Sequence, residues 1–108
     1  MDYYRDIVTG KNKQGVDKLN TGLYELPDED IFCEAVSDTE YDYIMGTIAP
    51  WALDEFGIII DDFDFDEIDN EQVEAFLEKI GNDKDKAPCL YKALTTAKDV
   101  GGSVQISF

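Results

Sequence analysis

The sequence has 108 residues, of which 25 are acidic and nine are basic, and its formal net charge is −16. This length predicts a single domain over residues 1–108, and a hydrophobic content of 44% is too high for a disordered acidic tail. Because it contains two cysteines and no histidine, the sequence excludes a Ser-His-Asp or Cys-His catalytic site and an ordinary structural zinc site.

The N-terminal third shows short, mixed patterns. The segment DYYRDIV fits a strand or a short helix, TGKNKQG predicts a turn, and GLYEL is a candidate second strand. Pro27 stands where a helix often begins, and acidic residues follow it where the helix dipole favours them. We therefore expect a short helix after Pro27 with four apolar side chains on one face: Ile31, Phe32, Ala35 and Val36.

A second helix is predicted from Ser37 onward. Ser37 and Glu40 have the spacing of a capping box, in which Ser37 is the N-cap and Glu40 reaches back to it. Pro50 is expected to kink or restart this helix, and Gly57 is a natural C-terminal stop.

Residues 57–65 are predicted to form a strand. The isoleucine run over residues 58–60 suits a strand that is buried on both faces. Acidic residues and phenylalanines then alternate, which indicates one packed face and one wet face. The packed face would carry Phe63 and Phe65, and the wet face would carry Asp62, Asp64 and Asp66.

The helix over residues 69–80 has the clearest periodicity in the chain. Asp69 and Gln72 have the spacing of a second capping box. Apolar residues recur at helical spacing on one face, and glutamates line the other. The buried set is Val73, Phe76, Leu77 and Ile80, and the exposed set is Glu71, Glu74 and Glu78.

A further helix over residues 88–98 and a terminal strand over residues 103–108 complete the pattern, with Val104, Ile106 and Phe108 directed inward. We expect residues 57–65 and 103–108 to be neighbouring strands, with both C-terminal helices packed on them. The predicted fold is therefore a single small α/β or α+β domain, with a few-stranded sheet and three to five helices.

Cys33 and Cys89 are far apart in the sequence and form no C-x-x-C motif. We interpret them as reduced core residues of a cytoplasmic protein, and a single disulfide between them is the alternative. The sequence contains no apolar run of about 18 residues, and its first ten residues lack the form of a signal peptide. We therefore expect no membrane association.

The charges are segregated along the chain. Residues 20–78 contain 19 acids and no Lys or Arg, whereas the two flanking segments are slightly basic. A protein that is acidic only for solubility scatters bases among its acids, because a mixed surface avoids self-repulsion. A base-free run of 59 residues therefore favours a functional use of the charge over a merely solvated surface.

The acidic cluster does not match the known catalytic and metal patterns. With Asp62 at position 1 of a calcium-binding EF-hand loop, Glu67 occupies the position that requires Gly, and Val73 occupies the position of the bidentate Glu. A pair of carboxylates could serve a glycosidase, but no spacing here indicates one. We expect no catalytic residues, no cofactor and no dedicated metal site.

The predicted functional surface is one negative face on the strand and on the helix that follows it. It comprises Asp61, Asp62, Asp64, Asp66, Glu67, Glu71, Glu74 and Glu78. Such a face suits a strongly positive partner, and strongly positive faces occur mainly on proteins that handle nucleic acid. Trp51, Tyr41 and Tyr43 lie within the acidic segment, where each is either a core residue or an exposed anchor for a partner.

The C-terminal half, GIIIDDFDF through GGSVQISF, resembles in element order the barstar-like inhibitors of secreted ribonucleases. That resemblance covers about half of the chain and implies a small acidic inhibitor with a parallel sheet that ends in a helix and a strand. The first half does not match, so no inhibitory residue is carried across. In charge pattern the chain is also similar to phage DNA mimics, the anti-restriction and anti-CRISPR inhibitors.

The sequence therefore predicts a small acidic inhibitor that occludes the cationic surface of a basic nucleic-acid-binding protein, with a nuclease as the preferred partner. No direct binding of nucleic acid is expected, and the sequence leaves the oligomeric state open. Two alternatives stay open: an acidic interaction or adaptor module with no nuclease partner, and a weak binder of divalent cations.

Overall fold

Four antiparallel strands form the sheet in the computed structural model, which describes residues 5–61 and 65–108. The strands are β1 (Asp6–Gly10), β2 (Ile31–Ala35), β3 (Phe65–Ile68) and β4 (Val104–Ser107), in the order β2-β1-β4-β3. Each neighbouring pair is antiparallel, so the class is α+β. The barstar-like resemblance implied a parallel sheet, which this sheet is not.

The helices are α1 (Lys13–Thr21), α2 (Asp38–Tyr43), α3 (Ala49–Phe56), α4 (Asn70–Ile80) and α5 (Pro88–Val100). A π-helical segment, Ile44–Ile48, joins α2 to α3 so that they form one continuous helix, and a 3₁₀ segment, Gly81–Lys86, joins α4 to α5. The predicted combination of a few-stranded sheet with three to five helices is confirmed.

The two faces of the sheet carry separate clusters. On one face, Ile7, Ile68 and Ile106 are buried in the main core with side chains of the helices from α2 to α5. On the other face, Val8 and Ile31 pack with Leu19 of α1. Burial of both faces removes the usual alternation of apolar and polar residues from β2.

The helix predicted after Pro27 is wrong, and so is the strand predicted at GLYEL. Residues 31–35 form β2, and α1 precedes them, capped by the side chain of Asn12, which accepts the Gly15 N–H at 2.9 Å. Ile31 packs toward α1 and Phe32 packs into the main core, so two consecutive apolar residues are buried on opposite faces. That spacing resembles a helical face in the sequence, which is the physical reason for the error.

The predicted helix boundaries at Ser37, Pro50 and Gly57 are confirmed, but the capping box predicted for Ser37 and Glu40 is only half formed, because the Glu40 carboxylate accepts N–H groups of α5. Ser37 Oγ accepts the Glu40 N–H at 3.1 Å, and Pro50 lies in the first turn of α3, directly after the π-helical segment. Gly57 ends α3 with a φ of 70°, in the left-handed region that glycine adopts without strain.

The strand predicted over residues 57–65 is wrong in its position. Residues 57–61 form no strand, and Ile59 is 59% exposed, although Ile60 is buried. The Ile58 N–H donates to Ala52 O at 3.3 Å, so it closes α3 instead of joining a strand. The strand beside β4 is β3, which shares only Phe65 with the predicted range. The positions predicted for Asp62, Phe63 and Asp64, and the burial predicted for Phe65, lie outside what the structure describes.

The remaining C-terminal elements are confirmed. In α4, Val73, Phe76 and Ile80 are buried and Leu77 is half-buried against the core. The Asp69 N–H donates to Gln72 Oε1 at 3.2 Å within the predicted capping box. In and after β4, the residues predicted to point inward are buried: Val104, Ile106 and Phe108. Gln105 is buried as well, because β4 lies between β1 and β3.

Candidate functional site

The acidic residues predicted to form one face do not share one face in the structure. Glu71, Glu74 and Glu78 are exposed on α4, opposite its buried residues, as the periodicity predicted. We call these three residues the α4 stripe. Asp61 is exposed in the segment after α3, and Asp62 and Asp64 lie outside the described residues.

Strand β3 does not present its acids as the alternation predicted. Asp66 pairs with Ile106 and Ile68 pairs with Val104, so Asp66 is on the side of the sheet that packs against the helices and is half-buried. The wet position predicted for Asp66 is therefore wrong, because the register places the even-numbered residues of β3 toward the core. Glu67 is exposed on the opposite side of the sheet, away from the side on which α4 packs.

Lysines from the flanking segments neutralise part of the base-free run. Lys18 Nζ lies 3.0 Å from Asp28 and 2.9 Å from Asp30, and Lys92 Nζ lies 3.6 Å from Glu34. Lys98 Nζ lies 3.3 Å from Glu74, so the α4 stripe itself has a cation beside it. Segregation of charge along the sequence is therefore not matched by equal segregation in space.

The Lys18 cluster is a structural network that joins α1 to the start of β2. The hydrogen bond from the Asp30 N–H and the Lys18 ammonium lower the pKa of Asp28. The hydrogen bond from the Asn12 side chain, at 2.8 Å, and the Lys18 ammonium lower the pKa of Asp30. The same two carboxylates raise the pKa of Lys18. The charges of these acids are paired within the chain and do not contribute to an open negative surface.

A groove lies between α3 and α4, next to the α4 stripe. It has a volume of about 400 Å³ and is lined by Trp51, Glu55, Phe56, Ala75, Glu78 and Lys79. The Trp51 ring meets the Phe56 and Phe76 rings edge-on, at centroid distances of 5.5 and 4.8 Å. Glu78 belongs both to this groove and to the α4 stripe, so an aromatic surface and an acidic surface are continuous here.

The sequence left open whether Trp51 is a core residue or an exposed anchor for a partner. In the structure Trp51 is half-buried and lines the groove. Tyr41 packs edge-on against Phe108 and lies beneath the Arg5 guanidinium at 3.8 Å, and Tyr43 O–H donates to Asp83 at 3.5 Å.

Sequence reasoning missed Glu55 and Phe56. The spacing of Trp51 and Glu55, four residues apart on a helix, is the signal that could have found them.

A larger groove, of about 830 Å³, lies along the outer edge of β2. Its lining mixes apolar residues with carboxylates, among them Leu26, Pro27, Phe32, Asp28 and Glu34. Asp28 is ion-paired with Lys18 and Glu34 with Lys92, so both negative charges are compensated within the chain.

The two cysteines are free thiols, and both are half-buried, so the disulfide alternative is wrong. Burial, followed by a hydrogen bond to the Glu34 carboxylate at 3.3 Å, raises the pKa of Cys89 to about 12. Burial also raises the pKa of Cys33. A thiolate is the nucleophilic form of cysteine, so neither residue is prepared for catalysis at neutral pH.

Within residues 5–61 and 65–108, no group of three or more Cys, Asp or Glu side chains is arranged to hold a metal ion. Over the same residues, no helix is both long enough and apolar enough to cross a membrane.

The fold and the site define a small acidic α+β protein with an antiparallel sheet, an exposed stripe of glutamates and an adjoining aromatic groove. No protein-family model matches the chain, and no curated protein or solved structure is significantly similar to it.

Proposed function

We propose that this protein is an acidic inhibitor that binds the cationic nucleic-acid-binding surface of a basic protein, with a nuclease as the preferred partner, and blocks it by occlusion. The α4 stripe is the observation that carries the proposal. Its three carboxylates lie on one exposed helix face, next to an aromatic groove that offers apolar contact area. The proposed action requires no catalytic group and no cofactor.

The spacing of the stripe supports mimicry of a phosphate backbone. With a rise of about 1.5 Å per residue, the three glutamates are spread over roughly 10 Å of helix axis. One strand of DNA carries a charge about every 3.4 Å, so the spacing of these carboxylates is of the same order, although Lys98 offsets the charge of Glu74. A surface of Lys and Arg residues that binds phosphates can therefore bind these carboxylates instead.

The net charge of −16 supports the same mechanism at longer range. A field of this sign accelerates association with a basic partner, typically by about 10- to 1000-fold at low salt. Binding is expected to weaken as salt shortens the screening length to about 8 Å at physiological ionic strength.

The experiment is capture of partners from the host on the immobilised protein, with elution by rising salt. The captured protein is then tested for nucleic-acid cleavage and for its inhibition by the added chain. We expect a basic nuclease that is released by salt and inhibited stoichiometrically. Capture of a protein that neither binds nor cleaves nucleic acid would contradict the proposal and favour an adaptor module.

A matched pair of variants separates the α4 stripe from total charge. Glu71→Lys combined with Glu78→Lys reverses two charges on the stripe, and Asp17→Lys combined with Asp99→Lys reverses two exposed charges elsewhere. We expect the first pair to abolish most of the inhibition and the second to reduce only the association rate. Equal effects of the two pairs would show that the stripe has no specific role.

A further inference from the structure

We infer that the groove between α3 and α4 binds an arginine side chain from a basic segment of a partner protein. The inference rests on the proposed function and makes it more specific, because it identifies which group of the partner is recognised and where. The groove is distinct from the α4 stripe except at Glu78, so the two can be tested separately.

The floor of the groove is aromatic and partly open. Phe56 stacks on Phe76 at a centroid distance of 5.8 Å and meets Trp51 edge-on, yet it stays 37% exposed. Leu53, one turn earlier on α3, is 51% exposed. An apolar side chain that stays in water gains no free energy from burial. Exposed apolar residues at neighbouring positions of a strongly charged protein therefore indicate a contact surface.

The rim of the groove is acidic. Glu55 comes from α3 and Glu78 comes from α4, and both side chains are exposed. A planar guanidinium group can stack on an aromatic ring while it donates hydrogen bonds to carboxylates in its own plane. The groove offers both partners, an aromatic ring and carboxylates, to a single side chain.

A lysine of the chain already lies at the edge of this surface. Lys79 Nζ is 5.9 Å from the centroid of the Trp51 ring, which is near the outer limit for attraction between a cation and a ring. Lys79 is exposed, so it can move aside when a better-matched cation arrives. It is therefore a competitor for the ring, and its removal is expected to strengthen binding of the partner.

Charge decides which occupant the groove takes. The acidic rim repels nucleic acid and other anions, and a second copy of this chain would bring its own net charge of −16. Arg5 is the single arginine of the chain and already lies over the Tyr41 ring at 3.8 Å. The occupant is therefore a basic segment of a different protein.

Trp51 is the single tryptophan of the chain, so its fluorescence reports on this groove without labelling. The test is a titration of the intact protein with a short oligoarginine peptide, and with an oligolysine peptide of equal length and charge. We expect oligoarginine to change the emission of Trp51 and to bind about three- to tenfold more tightly than oligolysine. An unchanged emission, or equal affinities for the two peptides, would overturn the inference.

Isosteric variants make the test specific for the groove. Glu55→Gln removes a charge from the rim, and Asp17→Asn removes the same charge from α1, outside both the groove and the α4 stripe. We expect Glu55→Gln to weaken oligoarginine binding about two- to fivefold more than Asp17→Asn does. Equal losses would show that only the total charge of the protein is sensed.

A pair of lysine variants tests for the opposite effect, a gain in oligoarginine binding. We expect Lys79→Gln to strengthen oligoarginine binding about two- to fivefold more than Lys13→Gln, which removes an exposed charge from α1. Weaker binding by Lys79→Gln would contradict the assignment of Lys79 as a competitor. If a captured nuclease is still inhibited by Glu55→Gln as strongly as by the unaltered protein, the groove inference fails while the proposed function stands.

Discussion

The carboxylate of Glu40 accepts the backbone N–H of Leu90 at 2.9 Å, across a separation of 50 residues in the chain. Its other oxygen accepts the N–H of Cys89 at 3.3 Å, so one side chain satisfies two amides in the first turn of α5. Glu40 is only 1% exposed. A negative charge at this position also complements the positive end of the helix dipole.

We expect Glu40→Ala to reduce the free energy of unfolding by about 2–4 kcal/mol, because it leaves one buried and one part-buried amide without their acceptor and opens a cavity. Glu40→Gln keeps one acceptor oxygen and the volume, so we expect a loss of about 1–2 kcal/mol. Denaturant unfolding measures both. The control is Glu71→Ala, on an exposed position of α4, and an equal loss in the control would contradict the role of Glu40.

Gly15 of α1 lies against the backbone that precedes β2. A Cβ at this position would overlap the carbonyl oxygen of Asp30, whereas a Cβ at Gly46 would meet no atom within 4 Å. We expect Gly15→Ala to destabilise the protein by about 1–3 kcal/mol and Gly46→Ala to stabilise it by about 0.5–1 kcal/mol. Thermal unfolding of the two variants gives the signs, and equal signs would show that α1 can move away from Asp30.

Cys89 is expected to be chemically inert despite its place in the first turn of a helix, where thiol pKa values are usually lowered. With a pKa of about 12, it should react with iodoacetamide at pH 8 on the order of a thousandfold more slowly than a free cysteine. Glu34→Gln removes the charged acceptor of the Cys89 thiol and should accelerate the reaction. Measurement in a Cys33→Ser background makes the rate specific, and rapid alkylation before the change would contradict the assignment.

The Lys18 network should make stability depend on pH in the acid range. The pKa values of Asp28 and Asp30 are lowered in the folded protein, so their stabilisation is complete above the unfolded value of about 4 and is lost as pH falls through the folded values. The pKa of Lys18 is raised, so its contribution is complete below about pH 10.4 and is lost above it.

We therefore expect the difference in unfolding free energy between the unaltered protein and Asp30→Asn to be constant near neutrality and to shrink below about pH 4. Denaturant unfolding over a pH series checks this. The control is Asp17→Asn, which changes an exposed carboxylate on α1. A difference that grows as the pH falls would have the wrong sign for this network.

Calcium is expected not to bind tightly around residues 62–74, because Glu67 and Val73 replace the Gly and the bidentate Glu that an EF-hand loop requires. Titration calorimetry with calcium should show no site of micromolar affinity. A single micromolar site would contradict this prediction and support the alternative of a divalent-cation binder.

The C-terminal half of the fold was predictable because its patterns are local. Helix α4 follows from apolar residues at helical spacing and from its capping box, and β4 follows from strict alternation that ends in Phe108. The exposure of the α4 stripe follows from the same periodicity. Such features depend on which residues are near one another in sequence, so the sequence alone was sufficient.

Strand β2 was not predictable from local pattern. Its residues Ile31 and Phe32 are both buried because α1 covers one face of the sheet and the main core covers the other. Alternation appears only where one face is wet, and the covering of both faces is decided by tertiary packing. The isoleucine run over residues 58–60 has the pattern of a buried strand but forms no strand, because the Ile58 N–H donates to Ala52 O at the end of α3.

The use of the charges was decided only in three dimensions. The sequence determined that residues 20–78 are acidic and without bases, and that Glu40 has the spacing to cap its own helix. Folding brings Lys18, Lys92 and Lys98 from outside that segment to some of its carboxylates, and directs Glu40 to α5. The energy of an ion pair depends on the distance between the two charges in space and not on their separation along the chain, so the sequence by itself did not determine these pairs.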